Sequence, residues 1–131
     1  MVQAINLKAL QHELCNTLCR SVEIEPHKES EIAVHLPFTG RDGDHVVLYM
    51  SMESMGWRIT DKGVTLMRLS YENDLDQLFS GARKNLFETI LQEAGLYEDN
   101  GEIGVITPAD RLVSGLFTLV QGITRVEDMG L

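Results

Sequence analysis

Residues 56–71 read GWRITDKGVTLMRLSY, a Trp, an Asp-Lys-Gly corner and an apolar run within one short segment. Asp61-Lys62-Gly63 has the composition of a tight turn, in which Asp bonds its own backbone and Gly supplies a positive φ. That reading makes 57–60 and 64–69 neighbouring antiparallel strands, with Asp61 at the corner between them.

The segments upstream extend the same pattern. In 45–53, Val46, Leu48, Met50 and Met52 fall on one face and Val47 and Tyr49 on the other. In 31–37, Ile32, Val34 and Leu36 alternate with Ala33 and His35. Between these two strands lies TGRDGD, 39–44, dense in turn formers. A short strand over 22–25 stops at Pro26. Consecutive short strands with tight turns predict an antiparallel meander of about four strands.

Helices are predicted on both sides of it. In 6–22, Leu7, Leu10, Leu14, Leu18 and Val22 recur at three and four residues, with Asn6 as the cap. After Tyr71 the helical spacing returns through Leu75, Phe79, Ala82, Leu86, Phe87, Ile90, Leu91 and Ala94. Gly81 interrupts it, so this is one bent helix or two, and Gly95 stops it. Asn100-Gly101 predicts a hairpin over 96–106. Thr107-Pro108-Ala109-Asp110 reads as the capped start of a last helix carrying Leu112, Val113, Leu116, Phe117, Leu119, Val120 and Ile123. The expectation is one α+β domain over 1–131, an antiparallel sheet with helices on one side.

Composition bounds the function. The 131 residues carry a net charge of −9, with 20 acids facing 11 scattered bases. Nucleic-acid binding rests on neutralising phosphates, so it is not expected. No apolar run approaches the roughly 20 residues of a membrane span, and the N-terminus lacks the basic-then-apolar pattern of a signal peptide. The expected compartment is the cytoplasm. Cys15 and Cys19, i and i+4 on the first helix, are poorly placed for a disulfide and are expected as reduced, buried thiols.

Several motifs together carry a resemblance. The Asp42–Asp44 turn, the Thr60–Gly63 turn and the run TLMRLSY, 65–71, are similar to the bacterial and phage family catalogued as domain of unknown function 1828, over roughly 7–126. Members of that family more often carry an acid at the position of Lys62. The resemblance implies a small cytoplasmic protein of a bacterium, prophage or mobile element, and it supplies no catalytic residues. Size, acidity and element order are also similar to type III secretion chaperones, without a shared motif.

Three constellations bear on chemistry. Asp42, Asp44 and Asp61 could hold a hard divalent ion if their turns meet, with Lys62 beside them, as in metal-dependent hydrolases or nucleases. Asp in turns is equally explained by backbone needs. His12, Cys15 and Cys19 are zinc-ligand types on one helical stripe. A fourth ligand such as His27 or His35 would be required, and a second short-spaced pair is absent. No nucleophile elbow or phosphate-cradling loop is present, and no cofactor is expected. The third set, Tyr49, Trp57, Arg58 and Tyr71, has the composition of a protein-contact anchor. Trp57 and Arg58 point to opposite faces of one strand. The last helix is more apolar than one sheet face needs and includes Gly115 and Gly122, so a homodimer contact and burial within the chain both account for it. The leading expectation is a non-enzymatic protein binder. A metal-dependent hydrolase and a chaperone-like effector binder are the alternatives.

Overall fold

At Asp61 the chain starts a helix and makes no hairpin. The computed structural model describes residues 4–72 and 74–129. In chain order the elements are α1 (Leu7–Arg20), β1 (Glu23–Pro26), β2 (Ile32–Thr39), β3 (His45–Glu53), β4 (Gly56–Thr60), α2 (Val64–Glu72), α3 (Leu75–Leu78), α4 (Gly81–Ala94), β5 (Tyr97–Asp99), β6 (Glu102–Thr107), a 3-10 turn at Ala109–Arg111 and α5 (Leu112–Asp128). Gly130 and Leu131 lie outside the described residues.

The predicted strand over 64–69 is therefore corrected to α2. The Asp61 carboxylate accepts from the amides of Gly63 and Thr65, and the Val64 amide donates to the Asp61 carbonyl. These bonds satisfy orphan donors of a helix N-terminus. Gly63 does take a positive φ, +80°. The turn that was read correctly thus leads into a different element. Thr65, Leu66 and Leu69 are the buried positions of that run, a helical spacing.

The sheet has six antiparallel strands in the order β1-β2-β3-β4-β6-β5. Four form a meander, in which β1 stands in for the predicted fourth strand at 64–69, and two come from the predicted hairpin. Asn100 and Gly101 both have positive φ, 51° and 89°, as a primed two-residue turn requires. The pairings Ile24–Val34–Leu48, Ile32–Met50–Ile59–Val105 and Met52–Trp57–Thr107 lay three apolar rows on one face. Helix α5 lies over β4 and β6 on that face and packs against α2 and α4. Val34, Leu48, Ile59, Ile103, Leu119 and Val126 form the fully buried centre.

Gly115 and Gly122 find their close neighbours inside the chain. A Cβ at Gly115 would stand 2.6 Å from Thr107 Cγ2, and one at Gly122 would strike Leu96 Cδ1. The last helix begins four residues later than its sequence suggests, at Leu112 and not at Pro108. Thr107 does not cap it; its hydroxyl donates to the Arg111 carbonyl, and the 3-10 turn intervenes.

Asn6 does cap α1, accepting from the Ala9 amide at 3.1 Å. The cysteines are a correction, because Cys15 and Cys19 are exposed. Every residue of α1 is exposed, so the leucine stripe meets no cover among the described residues. Among the described residues no helix is long and apolar enough to cross a membrane.

Candidate functional site: an open apolar groove beside an uncovered helix

The apolar rows of the sheet extend further than the helices that cover them. Toward β1, Ile24, Ile32, Met52 and Trp57 lie on the helix-bearing face. They line a groove of about 500 Å3 with Pro26. Met52 is 54% exposed and Ile24 64%, while Trp57 is half-buried. Glu25, Lys28 and Glu31 stand along the groove wall. Next to β1 in sequence, α1 presents Leu7, Leu10, Leu14 and Leu18, all exposed, with Leu14 at 55%. Exposed apolar surfaces of this kind mark contact sites.

The anchor set suggested by sequence divides among three surfaces. Trp57 lies in the groove. Tyr49 and Arg58 lie on the opposite, helix-free face of the sheet, as the pairings Tyr49–Thr60 and Ser51–Arg58 require. Tyr71 is exposed on α2. On the helix-free face, Arg58 Nε donates to the Tyr97 hydroxyl at 2.9 Å, and its guanidinium lies 5.5 Å from that ring's centre. Glu53 approaches Arg58 at 3.8 Å. The Tyr97 hydrogen bond holds the Arg58 pKa up, and burial pushes the Tyr97 phenol up against the opposing pull of Arg58. Tyr49 packs against His27, ring centres 4.7 Å apart, and Lys62 pairs with Glu31 at 2.8 Å. This face is built from internally matched polar partners.

The three carboxylates of the metal reading are held apart in role. Arg68 Nε reaches Asp42 at 2.9 Å, and its Nη2 lies 3.8 Å from Asp44. Asp61 is 2% exposed, and its oxygens accept from the amides of Gly63, Thr65 and Ile103. Its own amide donates to the Ile103 carbonyl, so one residue ties the start of α2 to β6. Asp61 and Arg68 line one cleft of about 170 Å3 with Glu127 and His45. A guanidinium is the cation beside Asp42 and Asp44, and three backbone donors satisfy Asp61. Lys62 is turned to Glu31 and away from these acids.

Of the zinc-type residues, His12 bonds Asn16 at 3.0 Å and His35 bonds Glu25 at 2.8 Å. No group of three or more His, Cys, Asp or Glu able to hold a metal occurs among the described residues. Sequence reasoning missed the groove residues Ile24, Ile32 and Met52, together with Arg68, Tyr97 and Glu127. The available signal was Ile24 on a strand next to a four-leucine helix: two apolar surfaces at one end of the chain.

Comparison with known proteins agrees with the motifs. The family model described as Domain of unknown function DUF1828 matches residues 36–126, a narrower span than the motifs suggested. No curated protein and no solved structure showed similarity to the chain. Helix α1, strand β1 and the first residues of β2 precede the matched segment. With the match spanning well over half of the chain, this protein belongs to the DUF1828 family.

Proposed function

We propose that this protein is a non-enzymatic protein-binding domain whose contact surface is the open groove around Trp57 together with the stripe of α1. The observation that supports it is the groove itself: four large apolar side chains on the core face of the sheet, in a groove to which no helix contributes a lining residue among the described residues. Aromatic side chains seated in such pockets carry much of the binding energy of protein interfaces. The setting implied by the motif resemblance, a bacterium, prophage or mobile element, suits a regulatory binder that modulates a host or defence protein. The secretion-chaperone alternative uses the same surface for an unfolded segment. The metal-hydrolase alternative draws no support, because Arg68 pairs with Asp42 and approaches Asp44, and Asp61 is spent on backbone amides.

Capture from a bacterial lysate by the tagged full chain tests this reading. A stoichiometric partner is expected that is lost with Trp57→Ala and with Ile24→Glu, and kept with Tyr71→Ala on α2. A partner that survives both groove substitutions would place the contact elsewhere and overturn the reading.

A further inference from the structure

Both the groove and the leucine stripe of α1 are apolar, both are uncovered, and they belong to the same chain. We infer that they cover each other between two copies: α1 of one copy lies in the groove of a second, whose own α1 lies in the groove of the first. The inference rests on the protein-binding reading above and names the partner as a second copy of this chain.

Three observations carry it. The junction between helix and strand is stiff. The Ser21 amide donates to the carbonyls of Thr17 and Leu18, and the Val22 amide donates to that of Cys19, one residue before β1 begins. No residue of α1 lines the groove of its own chain, which leaves that groove open to the α1 of another copy. The dimensions also agree. Leu7 to Leu18 spans about 16 Å along a helix, and four neighbouring strands span about 14 Å. The fourteen residues of α1 and the nine lining the groove draw, from each copy, on a surface near the 20–30 residues a side of a standard interface.

Charge is the third observation. Within a chain of net charge −9, α1 carries Lys8 and Arg20 against Glu13, while 23–31 carries Glu23, Glu25, Glu29 and Glu31 against Lys28. A basic helix approaching an acidic rim favours the encounter and sets its orientation. Exchange of identical helices closes on itself with two-fold symmetry, so association stops at two.

Light scattering on the eluting full chain at tens of micromolar tests the exchange. The expected mass is twice 14.7 kDa. Leu14→Glu and Ile24→Lys should each weaken association roughly 30-fold or more and run as single chains, with circular dichroism unchanged. Mixing these two variants should restore a dimer, because one contact is then native and the other pairs Glu with Lys. Trp57, the one tryptophan, should shift its emission to the red in each variant alone and return in the mixture.

A single chain at 100 micromolar would overturn the exchange. So would a dimer that survives Leu14→Glu and is lost with Phe117→Glu on α5. If a single-chain protein still captures a partner through Trp57, the exchange fails and the binding reading stands. If it captures none, both fail.

Discussion

Helices α1 and α5 are alike in sequence and opposite in surroundings. Both are long, 14 and 17 residues, and both carry apolar side chains at three- and four-residue spacing. In α5, Leu119 is 0% exposed, and Gly122 lets the helix close onto Leu96. In α1 the stripe faces outward along its whole length. Periodicity states that a helix has an apolar face. It does not state which chain, if any, supplies the other side.

Matched substitutions in the two helices should separate them sharply. Leu119→Glu puts an unpaired carboxylate at the centre of the core and should cost more than about 4 kcal/mol, abolishing cooperative unfolding in urea. A normal unfolding transition would mean that α5 is not the keystone the burial implies.

The frame beneath α5 is the next point of attack. Asp61→Ala removes the acceptor of three backbone amides and should cost about 3 kcal/mol by the same measurement. A neutral result would show that water replaces the carboxylate, and that α2 and β6 hold together without it.

Leu14→Glu in α1 is the counterpart of the first change. At concentrations low enough to separate copies it should alter unfolding by less than about 0.5 kcal/mol, because the side chain is already in water. A large loss there would mean that α1 packs on its own chain, and the contrast with α5 would disappear.

An effect of similarly small size concerns the helix-free face beside the groove. The Lys62 hydrogen bond, more than its charge, holds the Glu31 carboxyl below the usual glutamate range against an opposing cost of burial. A carboxyl depressed by folding stabilises above its unfolded pKa, and that contribution is lost as pH falls through the folded value. Lys62→Met should therefore lower stability at neutral pH by roughly 0.5 kcal/mol, since both side chains are partly in water. Melts of the two proteins should converge under acid. A gap that persists in acid would assign the effect to packing of the Lys62 stem.

Much of the fold was legible because its signals are local. Asn6 capped α1, Asn100-Gly101 made the primed turn, and 45–53 formed β3 as its alternation required. The error at 64–69 arose where one motif serves two ends. Asp-x-Gly closes a hairpin and also opens a helix, and Val64-Thr65-Leu66 suits a strand as well as the buried side of α2. Only the pairing of Asp61 with Ile103, 42 positions on, distinguishes the two, and no local pattern encodes it. The anchor set divided among surfaces for a related reason. Trp57 and Arg58 were rightly placed on opposite faces, yet which face stays bare depends on where α5 comes to rest.

The ends of the sheet carry one more consequence. Its outer strands are β1, four residues ending in Pro26 and bearing Glu23 and Glu25, and β5, three residues including Glu98 and Asp99. Short, acidic margins with a proline give a foreign β-segment little to zip onto. Such edges disfavour fibril growth, even with bare leucines at the N-terminal end, and they favour docking through side chains over strand addition.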